Sequence, residues 1–338
     1  MIIIHDSFRR ILIHATLYLT VIFLCTGCKS SNIITPSDLN VTSDLCIPST
    51  DSNYKEMYNV DLVPDSILKS EITLPVFFHE RDVLIANASG TLPFIKSLML
   101  AASDTVDTYS SYSKYLSEVE KGLTSIRTQA EAILSELECE LFRTRQLYLQ
   151  LRNLNSNKNV RLTVGAIVIG SAVNITPVFV SQKTPQNISI VAGSLVSAGL
   201  SLHTLSPGSR KVKLLFPRNL LSDVWSAPVN STDYPAGLWY ILNNPKFSNT
   251  RKSSKVQLIK MRWLKFELNY SLNKKTENLF FGAGGIFDQD ELEVRASMLA
   301  ELMAEVNTIN VDLDNFEYDL NRFSDNEFNY LNQSSNIR

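Results

Sequence analysis

The densest run of chemically capable side chains is His79-Glu80-Arg81-Asp82, an imidazole beside two carboxylates and a guanidinium. Such a set has the parts for proton transfer, but a polar residue followed three positions later by a carboxylate is also how helices begin. The quartet is read as a helix start. Gly282-Ala283-Gly284-Gly285 offers backbone N–H groups to a phosphate, yet its spacing is not GxGxxG and no βαβ pattern surrounds it. A turn entering the next helix is the reading here. Of four histidines only His79 and His203 lie beyond residue 27, so a histidine metal site or a nucleophile triad has little to draw on. HExxH, GxSxG and a Walker loop are all missing. The expectation is a protein without catalytic residues, metal or cofactor.

The elements that would position any such groups are mostly helical. The 338 residues carry 32 basic against 34 acidic side chains, a net charge of −2, with only 12 Gly and 12 Pro. That balance selects no polyanionic partner and disfavours turn-rich all-β folds. Apolar residues repeat every seven positions. Tyr109, Leu116, Leu123, Ala130, Leu137 and Leu151 hold one seam position; Tyr112, Val119, Ile126, Ile133, Leu147 and Leu154 hold the other. Glu140 and Thr144 interrupt them in adjacent layers. A long helix follows in the segment 91–160, running from near Pro93 to about Asn155 and roughly 90 Å long at 1.5 Å per residue.

A second helix is expected over residues 288–331, opened by the capping pair Asp288 and Glu291. Its seams read Leu292, Leu299, Val306, Leu313 and Leu320, and Leu302, Ile309, Phe316 and Phe323, with Arg295 the exception in the first layer. Two matching seams should pack antiparallel. The predicted fold is mainly α: long coiled-coil-like helices in an elongated antiparallel bundle, with an apolar helical hairpin and a small mixed region of short helices.

The hairpin is placed at residues 161–209. Its stretches 162–182 and 184–209 have no formal charge, and Gly165, Gly170, Gly193 and Gly199 are candidates for close helix approach. Core packing and membrane insertion both fit, with polar Thr, Ser and Asn side chains favouring the core. Residues 56–90 read as a short mixed segment, with a short apolar stretch and then a helical turn at 72–86. Residues 210–287 carry Trp225, Trp239 and Trp263 among prolines. Short helices are predicted at 218–225 and 236–243, then an amphipathic helix at 255–270 with Val256, Ile259, Trp263, Phe266 and Tyr270 on one face. A strand remains an alternative at 255–270.

The N-terminus has the order of an export signal: Arg9 and Arg10, then a largely apolar run from Ile11 to Phe23. It ends in Leu24-Cys25-Thr26-Gly27-Cys28-Lys29, which resembles the lipobox of bacterial lipoproteins. The usual leucine sits one place early, with Cys25 in its position. The resemblance implies that residues 1–27 are removed and that Cys28 becomes the acylated N-terminal residue. Lys29, rather than Asp, implies sorting to the outer membrane of a Gram-negative bacterium. Residues 28–55, rich in Ser, Thr, Asn and Asp, read as a flexible tether. The segment 278–302 is similar to helical envelope lipoproteins.

Two further cysteines remain. Cys46 and Cys139 either pair in an oxidising compartment or stand as a tether thiol and a buried helix thiol. The basic cluster Arg251, Lys252, Lys255, Lys260, Arg262 and Lys265 reads as a solvated helix face, with anionic lipid as a second option; export removes nucleic acid as a partner. The expected protein is a non-enzymatic, lipid-anchored scaffold that meets an envelope protein or its own copies. The alternative is a membrane-inserting protein, whose hairpin layout resembles that of α-helical pore formers.

Overall fold

The computed structural model describes residues 33–39, 46, 60, 62–63, 68, 78–103, 108–179 and 209–335. Among them the chain is mainly helical, with a small three-stranded sheet. In chain order it runs β1 (Ile33–Ile34), α1 (Glu80–Ala88), α2 (Leu92–Ser103), α3 (Thr108–Phe179), β2 (Lys211–Leu215) and α4 (Leu220–Ser226). Then come α5 (Ala236–Asn243), α6 (Lys255–Arg262), a π-turn (Trp263–Glu267), α7 (Lys274–Phe281), β3 (Gly284–Phe287) and α8 (Gln289–Ser335). The signal segment 1–27, Cys28, and the hairpin's second arm with Gly193 and Gly199 lie outside the described residues.

The two heptad patterns produce α3 and α8, and the largest helix contact in the fold is between them. Leu123, Ile126, Ile133 and Leu137 of α3 are buried, as are Leu299, Leu302, Val306, Ile309, Leu313 and Phe316 of α8; Leu116 is half-buried against the same core. The pairing is antiparallel. Arg127 of α3 reaches Asp314 and Glu317, whereas Glu140, further along α3, faces the earlier Arg295 of α8. At the start of α8 the Asp288 carboxylate accepts from the Glu291 N–H, and the Glu291 carboxylate accepts from the Asp288 N–H. Both early donors are thereby satisfied.

The stretch 91–160 is not one helix. Residues 92–103 form α2, which folds back so that Thr91, at its head, meets an early turn of α3. There Gly122 makes room: a β-carbon on it would stand 2.0 Å from the Thr91 γ-methyl. The physical reason is that α2 has its own apolar residues to bury, Ile95 and Leu98, and the heptad frame begins only with α3. The boundary expected at 160/161 carries no break either. Helix α3 runs unbroken through it to Phe179, so Gly165 and Gly170 lie in α3.

The sheet was not anticipated. β1 pairs parallel with β2, Ile34 opposite Val212, and β2 pairs antiparallel with β3, Val212 opposite Phe287. The segment 28–55 therefore contributes a strand rather than only a tether. Gly284 and Gly285 form a strand rather than a helix-entry turn. A β-carbon on Gly284, whose φ is 87°, would stand 2.4 Å from the Leu214 carbonyl oxygen, so a glycine lets β3 close on β2.

Between sheet and helices sit the tryptophans. Trp225 and Trp263 stack on Phe281, and Trp239 stacks on Tyr234. The segment at 255–270 is helical, but its predicted face holds only through Val256, Ile259 and Trp263. The π-turn then gives more residues per turn, with the Leu268 N–H donating to the Trp263 carbonyl five residues back. Leu268 takes the buried place, while Phe266 and Tyr270 turn outward at 68% and 70% exposure.

Helix α5 docks on the end of α1 with equal economy. A β-carbon on Gly237 would lie 2.1 Å from the Ala88 carbonyl oxygen, which is backbone and cannot swing aside. Gly237→Ala should cost about 1–3 kcal/mol by overpacking, measured by urea denaturation; a variant as stable as wild type would show that α5 docks differently.

Candidate functional site

Two of the residues that interrupt the heptads are brought together: Glu140 of α3 faces Arg295 of α8 in a polar layer across the apolar seam. Thr144, one turn further along α3, is buried. Arg295 is 1% exposed. Its Nη1 donates to the Phe280 carbonyl at 3.2 Å and to Asn219 Oδ1 at 3.4 Å. Its guanidinium lies 3.5 Å from the centroid of the Phe216 ring, and its nearest carboxylate, Glu140, is 3.9 Å away. Arg143 donates to the other oxygen of Glu140 at 3.0 Å. Asn219 serves two elements at once: its carbonyl oxygen accepts from the Leu221 N–H at the head of α4, and its amide donates to Phe280 and Gly282 at 2.9 Å.

Burial lowers the Arg295 pKa to about 10, with the Glu140 charge opposing and the Arg143 charge adding to the shift. The guanidinium stays charged at neutral pH. Arg295 Nε and Thr144 Oγ1 make no hydrogen bond among the described residues. One turn before Glu140 stands Glu136, 2.8 Å from Arg218, which also binds Asp233. Burial raises the Glu136 pKa to about 7, against the pull of Arg218 and with the push of Glu140 and Asp233.

Cys139 adjoins this layer and is disulfide-bonded to Cys46, with their Cα atoms 5.4 Å apart and 93 positions between them in sequence. The bridge ties the N-terminal segment to the middle of α3. Arg295 and Glu136 are interior, Arg218, Asp233 and Glu140 are partly exposed, and Cys139 is covalently closed. Sliding of α8 would carry the buried Arg295 away from its acceptors, the Phe280 carbonyl and Asn219, and from the Glu140 carboxylate of α3.

Other candidates from the sequence are dispersed. In the quartet, the Asp82 carboxylate accepts from the His79 N–H at 2.6 Å, Arg81 pairs with Asp312 at 2.9 Å, and Glu80 pairs with Lys246. The six basic residues do not make one patch: Lys255 and Arg262 pair with Glu305, Arg262 also with Glu301, and Lys260 donates to the Trp225 carbonyl. An open groove of about 780 Å³ is lined by Val60, Leu62, Val229, Trp239, Tyr240 and Asn244, and among the described residues its lining has no carboxylate, imidazole, thiol or cationic side chain. Sequence reasoning missed Asn219, Arg218 and Glu136. Asn219 ahead of an apolar run was readable as a helix cap, but its distant partners were not.

Comparisons with known proteins return nothing: no family model, no curated protein and no solved structure matches the chain.

Glu136 gives the layer a pH dependence. Its folded pKa lies above the ordinary 4.5, so the folded state holds the proton more tightly than the unfolded chain. Stability is therefore lost as pH rises from about 4.5 to about 7, by roughly 3 kcal/mol at most. Urea melts at pH 5 and pH 7.5 should show a smaller loss for Glu136→Gln than for wild type, and an equal loss would remove Glu136 from the account.

Proposed function

We propose that the chain is a lipid-anchored lipoprotein of the bacterial cell envelope, held in the outer membrane through Cys28 and acting as a non-enzymatic helical scaffold or interaction protein. The observation that carries the reading is the Cys46–Cys139 disulfide. Such bonds persist in oxidising compartments, where the export signal and lipobox-like run ahead of it would deliver the chain. The long α3–α8 pair is taken as an elongated, coiled-coil-like antiparallel bundle that extends from the anchor.

The partner is another envelope protein or a second copy. Phe142 and Leu149 of α3 are exposed apolar residues seven positions apart, and so are Val311 and Tyr318 of α8. Each pair continues a helical stripe on a face turned away from the seam, the pattern by which a helix meets a partner.

A second reading, membrane insertion through residues 161–209, draws support from one feature. Helix α3 passes without interruption from the buried Leu151 into residues 162–179, which contain no charge. Among the described residues no helix is long and apolar enough to cross a membrane.

Two measurements test these readings. Metabolic labelling with a palmitate analogue should mark the wild type and leave Cys28→Ser unmarked; an unlabelled wild type sinks the lipoprotein reading. The protein without residues 1–27, carrying Cys28→Ser, should leave dye-loaded liposomes intact. In it Gly170→Leu or Gly193→Leu should destabilise by about 1–3 kcal/mol if the hairpin is packed core. Leakage that increases in stable variants would favour insertion instead.

A further inference from the structure

One face of α8 carries a ladder of acidic residues at Glu301, Glu305, Asp312 and Asp319, and the first three are met by a lysine or arginine from another element. Glu301 meets Arg262, Glu305 meets Arg262 and Lys255, and Asp312 meets Arg81. The last rung, Asp319, is different. It faces an imidazole and a second carboxylate, those of His79 and Asp82. We propose that His79, Asp82 and Asp319 form a binding site for a zinc-like divalent cation that joins the start of α1 to α8.

The donor set and its geometry carry this. His79 Nδ1 lies 2.8 Å from Asp319 Oδ2 and 3.5 Å from Asp82 Oδ2. One donor atom from each residue lies within 4.8 Å of the other two. Tetrahedral zinc with bonds of about 2.0–2.1 Å needs its donors about 3.3 Å apart, so the two measured separations bracket that value. One nitrogen and two carboxylate oxygens suit zinc and its neighbours better than magnesium or calcium, which take oxygen alone.

The surroundings are those of a held site. Asp82 and Asp319 are buried, whereas the His79 side chain is 76% exposed, leaving a solvent-facing position for entry and for a bound water. Asp82 is fixed by the His79 backbone N–H, and the other oxygen of Asp319 faces Arg322 at 3.8 Å. These outer contacts orient two of the three ligands. Two carboxylates placed together out of water repel one another, and a divalent ion between them removes that repulsion.

The test uses the full chain in detergent with Cys25→Ser and Cys28→Ser, which removes the thiols outside the disulfide. Calorimetric titration with zinc ion should give one site per chain with micromolar or tighter affinity, and zinc should raise the melting temperature. His79→Gln and Asp319→Asn should each weaken binding by at least tenfold and remove the zinc-dependent rise. His79→Gln, altered at an exposed side chain, gives up the 2.8 Å contact with Asp319 and should melt slightly lower than the parent without zinc while still folding, so the loss of its zinc-dependent rise decides the matter even if Asp319→Asn fails to fold. No uptake of zinc at 1 mM (an order-of-magnitude ceiling for a specific site), or equal affinity in His79→Gln, overturns the proposal.

Discussion

A guanidinium set into an apolar seam is the constraint around which the rest of this molecule is arranged. Removing a cation from water costs several kcal/mol even after relaxation, and Arg295 has few places where that cost is offset. Its acceptors come from two separate stretches of chain, Asn219 ahead of α4 and the Phe280 carbonyl at the end of α7, and its nearest carboxylate, Glu140 in α3, stands 3.9 Å away. The Phe216 ring after β2 covers its face. The sheet, the short helices and both long helices therefore have to be correctly placed together for this one side chain to be satisfied. An all-leucine seam would hold α3 and α8 together over a range of registers; this one favours the register that sets Arg295 opposite Glu140.

The two long helices were legible because a seven-residue repeat is a local property that survives without knowledge of the partner. The seam residues from Leu123 to Leu137 and from Leu299 to Phe316 are all interior. The exceptions were legible as exceptions: Glu140, Thr144 and Arg295 could be picked out by frame alone. That Glu140 and Arg295 meet was not readable, because it depends on the relative shift of two helices about 150 positions apart in sequence.

What the sequence hid was non-local or subtle in backbone geometry. β1 is two residues long in a polar segment, and nothing in Ile33-Ile34 announces that β2, at Lys211, is its neighbour. Gly284 and Gly285 looked like a turn because glycine marks turns and close backbone approach equally well. The outward swing of Phe266 and Tyr270 came from a change in residues per turn within one helix, which a fixed-period count cannot detect. Of the His79–Asp82 quartet, the helix start was visible in the spacing, but Asp319, 240 positions from His79, was not.

The bridge between Cys46 and Cys139 also sets the route by which force would travel through the protein. Tension applied at the N-terminal end first meets β1, whose two residues pair with β2 and would shear early. It then reaches Cys46, and from there it is handed covalently to the middle of α3. The intervening helices α1 and α2 lie within the closed loop and bear none of the load. With the bridge intact, the fold is held by its longest element; with it reduced, the same tension would peel the chain from α1 onward, one short helix at a time.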